Sequence, residues 1–470
     1  MEPAKDVQEL KKALSSAMSI SQEGVTVKNW DAVRSTGADL LAWTVAHSPS
    51  KEARALGAWI VRNLAQQAGN GPASINEVYM AFGRGDLPPK FTVAAINVRC
   101  MAYYFARSIF RVAKKNDAAA VIFEIARSEM NYTDQPAYEY ASSILCAALK
   151  ESYPSPVFIQ GDHFQFNAAK FAKDANAEFE GIRKVAKESV EAGFYNIDID
   201  TSTLVDLDQP TVEAQQRNNF EQCARISDFV RSIEPAGVTV SLGGEIGEVG
   251  HKNSNVEELR AFMNGYNKLR KQDKPGLSKL SVQTGTSHGG VVLPDGTIAK
   301  VKVDFDTLKI LSEAARKEFG MGGAVQHGAS TLPAEFFDRF PQVGTAEIHL
   351  ATEFQNILLE HPKFPAELKA EMYRWLDKNA ANERKEGETD SQFYYKTRKK
   401  AVGPFKKQVW SLPDSIMSEI MKSYDERLEL LFHKLNIGGT ARAIKPLIKM
   451  PAQKFAIPKV AGAEAFDGAD

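Results

Sequence analysis

From about residue 75 the chain alternates short apolar runs with longer segments of helical periodicity, and this alternation constrains its fold more than any other feature. The runs are FTVAAINVR (91–99), AAVIFEIAR (119–127), PVFIQGDHFQF (156–166), FYNIDIDTSTL (194–204), VTVSLGGEIGE (238–248) and LSVQTGTSHGG (280–290). Each is followed by an amphipathic segment long enough for a crossover helix, such as MAYYFARSIFRVAKKN or DFDTLKILSEAARKEFG. Parallel strands need such crossovers. Two further runs frame the stretch 323–352, one ending in His327 and the other carrying His349. Between them lies a helix-like segment with Pro333 near its start and Gly344 at its end, the punctuation expected of a helix.

Eight strand–helix units predict a (β/α)₈ TIM barrel over residues 76–356, an α/β fold of the usual size. A doubly wound open sheet is the alternative, but no GxGxxG follows the first strand. Residues 1–75 show apolar residues at helical spacing and predict a helical N-terminal extension packed on a larger domain or a partner subunit. AELKAEMYRWLDKN and PDSIMSEIMKSYDERLELLFHKL predict a helical C-terminal extension over 357–440. Residues 441–470, with spaced prolines and a Gly/Ala/Asp end, predict an extended or disordered tail.

Composition excludes several classes. The net charge of −1 provides no global field for nucleic acid or an anionic membrane. No apolar run reaches the 18 or so residues of a membrane span, and MEPAKDVQELKKALSS lacks the apolar core of a signal peptide. Cys100, Cys146 and Cys223 are odd in number, far apart and never in CxxC spacing. That argues against a disulfide framework or a thiolate zinc site and makes the cytoplasm the expected compartment.

Polar groups gather at the C-terminal ends of the predicted strands, where barrel enzymes place their chemistry. Asp162-His163 ends the third strand, Glu245 the fifth, His288 the sixth, His327 the seventh and His349 the eighth. Neutral imidazoles converging there are a typical ligand set for a catalytic divalent metal, because they leave the ion its full charge.

Asp162-His163 after PVFIQG, GTSHGG (285–290), QHGAS (326–330) and EIHLAT (347–352) resemble, in order and placement, the motifs of class II metal-dependent fructose-bisphosphate aldolases, a family that includes the tagatose-bisphosphate aldolases. FTVAAINV, with Asn97, is similar to its first strand, IDIDTST (197–203) to its fourth-strand segment and EIGEVG (245–250) to its fifth-strand acidic loop. The resemblance implies that His163, His288 and His327 bind Zn²⁺ or another divalent ion, with Glu245 near an alternative metal position. It implies that Asp162 exchanges a proton with the C4 hydroxyl. Gly289, Gly328, Ser330 and Thr352 match the phosphate cradle, and Asn97 a substrate contact. YYKTRKKAVGP resembles the segment after the barrel, where Arg398 is the candidate for a second phosphate.

Three departures shape the expected chemistry. The family commonly carries Lys-Ile-Asn where this chain reads Glu347-Ile348-His349, and His349 is expected to hydrogen-bond substrate rather than to become a fourth ligand. His251-Lys252-Asn253 replace the acidic residues after the fifth strand, leaving Glu248 as the nearest enediolate proton carrier. The third-strand turn reads GDHFQF, where the family usually has a histidine or leucine before Asp-His and a small residue after it. The expected function is an aldolase acting on a phosphorylated ketose, as a homo-oligomer with no nucleic-acid or membrane partner. The alternative is a sugar- or sugar-acid-binding relative with isomerase or epimerase activity, or with no cleavage activity.

Overall fold

The computed structural model describes residues 1–21, 23–247, 252–285, 293 and 302–455. Eight parallel strands form a closed ring: β1 (Val93–Asn97), β2 (Val121–Ala126), β3 (Val157–Gln165), β4 (Asn196–Asp200), β5 (Ser241–Gly247), β6 (Lys279–Val282), β7 (Ala324–Gln326) and β8 (Glu347–Leu350). The ring closes between β8 and β1, where Glu347 pairs with Val93 and Leu350 with Ile96. The predicted barrel is therefore the observed one. Most strands are buried along their whole length, as parallel strands covered by helices must be.

The crossover helices follow the sequence signals closely. Val212–Ile233 is capped by Thr211, Val256–Leu269 by an Asn255/Glu258 capping box and Phe305–Phe319 by Asp304. Each cap satisfies backbone N–H groups that the helix leaves without partners. Gly193 (φ 101°) and Gly320 (φ 66°) end two of the crossover helices in the left-handed region. The β7–β8 connection differs from expectation. Instead of one crossover helix it contains a 3₁₀ turn, Ala334–Phe336, and a four-residue helix, Arg339–Gln342. Pro341 lies inside that short helix and contributes no N–H, so the segment cannot propagate as one helix.

The region before the barrel is helical at Val7–Leu14, Ala38–His47 and Lys51–Ala68, but it also holds an antiparallel pair, Met18–Ser21 with Gly24–Val27. Four-residue strands give too short an alternation to stand out against flanking helical periodicity. Pro72–Ala73 pairs with β3, and the helix Asn76–Arg84 follows it into the barrel with Tyr79 fully buried. After β8 come the helices Thr352–Leu359, Ala366–Asn379, Asp390–Thr397 and Asp414–Lys434. In the predicted tail, Ala441–Ile444 and Lys445–Leu447 form short helical turns, while residues 456–470 lie outside the described residues. No helix among the described residues is long and apolar enough to cross a membrane.

The two extensions meet at an aromatic cluster over the helix Ala102–Lys115. Trp410 packs against Trp43, Tyr104 and His47 at ring-centroid distances of 5.8, 5.6 and 4.9 Å. His47 Nε2 is buried there with no hydrogen-bond acceptor. Burial, with Lys406 and Lys407 nearby, pushes its pKa down to about 3. The unfolded chain therefore binds this proton more readily than the folded one, near the ordinary histidine value of about 6.5. The stability from keeping His47 neutral is complete above pH 6.5 and is lost as the pH falls toward 3. We expect urea-unfolding free energies of the wild type to decline relative to those of His47→Phe as the pH is lowered from 6.5 to 5. A difference independent of pH would refute this.

Candidate active site and metal centre

The barrel mouth opens into a cleft of about 970 Å³, bordered by the ends of β1, β2, β3, β7 and β8 and by the segment 385–399 of the C-terminal extension. Its floor depends on a bulge in β3. Side chains along a regular strand alternate between faces, so neighbours cannot share one side. The pairing of β3 with β4 shifts register between Gly161 and Phe164, and His163 takes φ 41°, left-handed for a residue with a Cβ. The alternation breaks, and Asp162 and His163 both line the cleft. Gly161 permits the bulge, because a Cβ there would lie 2.3 Å from the Phe164 ring.

His163 Nδ1 lies 3.1 Å from Asp200 Oδ2 and 3.4 Å from Glu245 Oε2. Asp200 also accepts from Gln165 Nε2 (2.6 Å), the Ser202 amide (3.1 Å) and the Ser202 hydroxyl (2.8 Å), which fixes its carboxylate. A carboxylate behind a histidine is the usual device for orienting a metal-binding ring, and ligation through Nε2 leaves the Asp200 contact intact. The His327 ring lies 4.4 Å from that of His163, and its Nε2 is 3.0 Å from Ser281 Oγ. Asp162, His163 and His327 offer ligand atoms all within 4.8 Å of one another, as do His163, Asp200 and Glu245.

Burial works against a charged His163, yet Asp162, Asp200 and Glu245 outweigh it and hold its pKa well above the ordinary value. Burial also raises Glu245 to about 7, with Asp200 and Asp162 adding to the effect. The field at this point favours positive charge, and a divalent cation meets that demand as a proton does. Two imidazoles and a carboxylate in such a field fit a divalent metal.

His349 packs on His327 but turns its ring nitrogens to other groups. Its ring stacks on His327 at 3.9 Å, Nε2 lies 2.7 Å from Glu347 Oε1, and Nδ1 is 2.8 Å from Glu124 Oε2 and 3.3 Å from Asp162 Oδ1. Among the described residues no ligand group combines His349 with His163 or His327. Both ring nitrogens face carboxylates.

The other sequence candidates fall as follows. Gly328 (φ 68°), Ser330 and Thr352, the first residue of the helix Thr352–Leu359, line the cleft. Asn97 also lines it, donating to Glu129 Oε2 and accepting from Arg99 Nε. Arg398 does not line the cleft: it is buried, with Nη1 2.8 Å from Glu360 Oε1 and Nη2 2.6 Å from Asn356 Oδ1. The nearby residues that do line the cleft are Lys385, Lys396 and Lys399. Glu248, His288 and Gly289 lie outside the described residues.

Sequence reasoning passed over Glu124, Asp198, Asp200 and Lys279 as site residues. Glu124, Asp198 and Asp200 are charged residues inside apolar strand runs and Lys279 immediately precedes one, and in a strand buried on both faces a charge requires a partner. That signal was available.

A fructose-bisphosphate aldolase class-II family model matches residues 89–426. Among solved structures, the chain is similar to one described as a probable tagatose 6 phosphate kinase from Sinorhizobium meliloti 1021, with 13% identity, covering 76% of this chain and 100% of that one at a TM-score of 0.50. A fructose-bisphosphate aldolase from Campylobacter jejuni matches at 18% identity over 78% of this chain and 97% of that one, TM-score 0.45. The YdjI aldolase from Escherichia coli K12 matches at 14% identity over 78% and 98%, TM-score 0.43. At 13% identity the match with a TM-score of 0.50 speaks to the fold alone, whereas the family model spans most of the chain. This protein belongs to the class II fructose-bisphosphate aldolase family and is an aldolase, a carbon–carbon lyase.

Proposed function

We propose that this aldolase uses a divalent metal, zinc or a similar ion, to cleave or form the carbon–carbon bond of a ketose phosphate such as fructose 1,6-bisphosphate. The observation that carries this reading is the meeting of Asp162, His163 and His327 with Gly328, Ser330 and Thr352 in one cleft. His163 and His327, with His288 by resemblance, would hold the ion. When bound it would supply Lewis-acid polarisation of the ketose oxygens.

Asp162 is the base for the C4 hydroxyl, a role that requires a carboxylate in reach of the substrate. His349 faces Asp162 from the opposite side and presents its ring toward the same cleft floor. Glu248 remains the candidate proton carrier at the enediolate carbon. Gly328 and Ser330 in the β7 loop, with Thr352 at a helix N-terminus, suit a phosphate. Arg99, Arg127, Lys170, Lys385, Lys396 and Lys399 border the cleft and suit an anionic substrate. Lys396 is already paired with Glu388 at 2.7 Å. Lys399 contacts the Tyr132 ring at 5.9 Å, and burial with Arg99 nearby lowers its pKa, a cost that an anion would relieve. We therefore assign the second anionic group of the substrate to Lys399 rather than Arg398.

Lys279 does not suit the role of an imine-forming lysine. Lys279 Nζ lies below the cleft, bonded to Gln160, Asp198 and Glu347, and those carboxylates outweigh burial to hold it protonated. Such an ammonium is not a nucleophile.

A panel of ketose mono- and bisphosphates, assayed with and without chelator, tests the function. Triose release that a chelator abolishes is expected. An isomerised ketose without triose release would replace this reading with that of an isomerase. His163→Ala and His327→Ala are each expected to lower bound metal and activity together, read by elemental analysis beside the cleavage assay. Unchanged metal content in both would remove the proposed site. Asp162→Asn should keep metal and fold but lose about 10²–10⁴ of cleavage rate, the range for acid–base catalysis. Turnover near the wild-type level would exclude it as the base.

A further inference from the structure

Beneath the cleft floor, the barrel interior holds a layer of charged side chains where bulky apolar residues usually fill the space. Glu347 on β8 is its hub, fully buried. Its Oε1 accepts from Lys279 Nζ, from Gln160 Nε2 at 3.0 Å and from His349 Nε2 at 2.7 Å, and its Oε2 accepts from the Tyr79 hydroxyl. Lys279 Nζ also lies 2.9 Å from Asp198 Oδ1 and 2.8 Å from Gln160 Oε1. These residues come from four strands and from the helix that enters the barrel from below.

The layer is built by the backbone as well as by side chains. Gly243 on β5 pairs in register with Asp198 on β4 and with Lys279 on β6. A Cβ on Gly243 would lie 2.2 Å from Asp198 Oδ1 and 3.0 Å from Lys279 Cε. The missing side chain lets Lys279 reach across an intervening strand to Asp198. Lys279, with His349, in turn keeps Glu347 ionised, and the Tyr79 hydroxyl helps hold it in one place.

An ionised Glu347 accepts but cannot donate, so the bond to His349 requires the proton on Nε2. The other ring nitrogen, Nδ1, then points at Glu124 and Asp162 on the cleft side. From this geometry we infer that Glu347, backed by Lys279, is a positioning residue that fixes the ring orientation of His349 and so the placement of Asp162 at the cleft floor. Glu347 and His349 belong together on β8: the carboxylate at 347 holds the imidazole at 349. The inference rests on the aldolase reading of the cleft only for its kinetic consequence.

Two measurements test it. Glu347→Leu removes the acceptor, whereas Glu347→Gln keeps an oxygen that can accept from Nε2. Glu347→Leu is expected to lose about 10–100-fold in kcat with KM and bound metal close to wild type, the range for an orienting partner, and Glu347→Gln to recover most of that loss. Wild-type kcat in Glu347→Leu, or equal losses in both variants, would overturn the proposal. Should Glu347→Leu fail to fold, the wild-type enzyme itself decides the matter through ¹⁵N NMR of labelled histidine, with the His349 signals assigned by their loss in His349→Gln. Nε2 should carry a proton shared in a hydrogen bond with the carboxylate, and an unprotonated Nε2 would overturn the proposal. An enzyme that cleaves no phosphorylated ketose yet shows this bond would refute the functional reading and leave the positioning role standing.

Discussion

A carboxylate sealed from water is tolerated only when its oxygens are supplied with donors, and Glu347 is the point in this barrel where that requirement is met most fully. Four donors converge on it, from β3, β6, β8 and the helix Asn76–Arg84. Removing one member of a buried ion pair typically costs about 3–5 kcal/mol, because the remaining charge has no solvent to turn to. The strands contributing to this layer are therefore held in a fixed relation by polar as well as apolar contacts. The cleft floor directly above is tied to this layer through His349, which bonds to Glu347 and lies 3.3 Å from Asp162.

Carboxyl groups outnumber the cationic side chains in this region, with Glu124, Asp162, Asp198, Asp200, Glu245 and Glu347 close to Lys279 and three imidazoles. Burial raises Glu124 to about 8 despite the neighbouring His349, which shows how poorly the layer accommodates further anions. A divalent cation at His163 and His327 would reduce the imbalance locally. Below it, Lys279 is committed to Glu347 and Asp198 and cannot do the same for the cleft. The deep carboxylates and the shallow ones thus answer to different cations.

The barrel was legible in the sequence because each of its eight strands is an apolar run followed, in most cases, by an amphipathic segment with recognisable caps. The strand-end placement was legible too: Asp162, His163 and His327 stand where the alternation ends, and the bulge at Gly161 brings the first two to one side. What escaped was tertiary. Arg398 looks like a phosphate ligand in YYKTRKK, yet its guanidinium is held by Glu360 and Asn356, and only the fold reveals that Lys399 lines the cleft instead. Between β7 and β8, Pro333 and Gly344 carry the punctuation of one helix, but Pro341 between them interrupts it. The ionic layer was visible as charged residues inside FEIA, NIDI and KLSV, but a linear sequence does not reveal that Lys279 and Asp198 meet across Gly243.

Ring closure also sets an order of events. The Thr92 hydroxyl bonds to the Thr345 carbonyl 253 residues downstream, and the Thr92 amide bonds to the Leu435 carbonyl. On a ribosome adding about 5–20 residues per second, β1 waits on the order of ten seconds or more for the partner that completes it. Throughout that interval one edge of an apolar strand is unpaired, a template for pairing with another nascent chain. Burden on the chaperone machinery during synthesis is thus a direct consequence of joining the first strand of the barrel to the last.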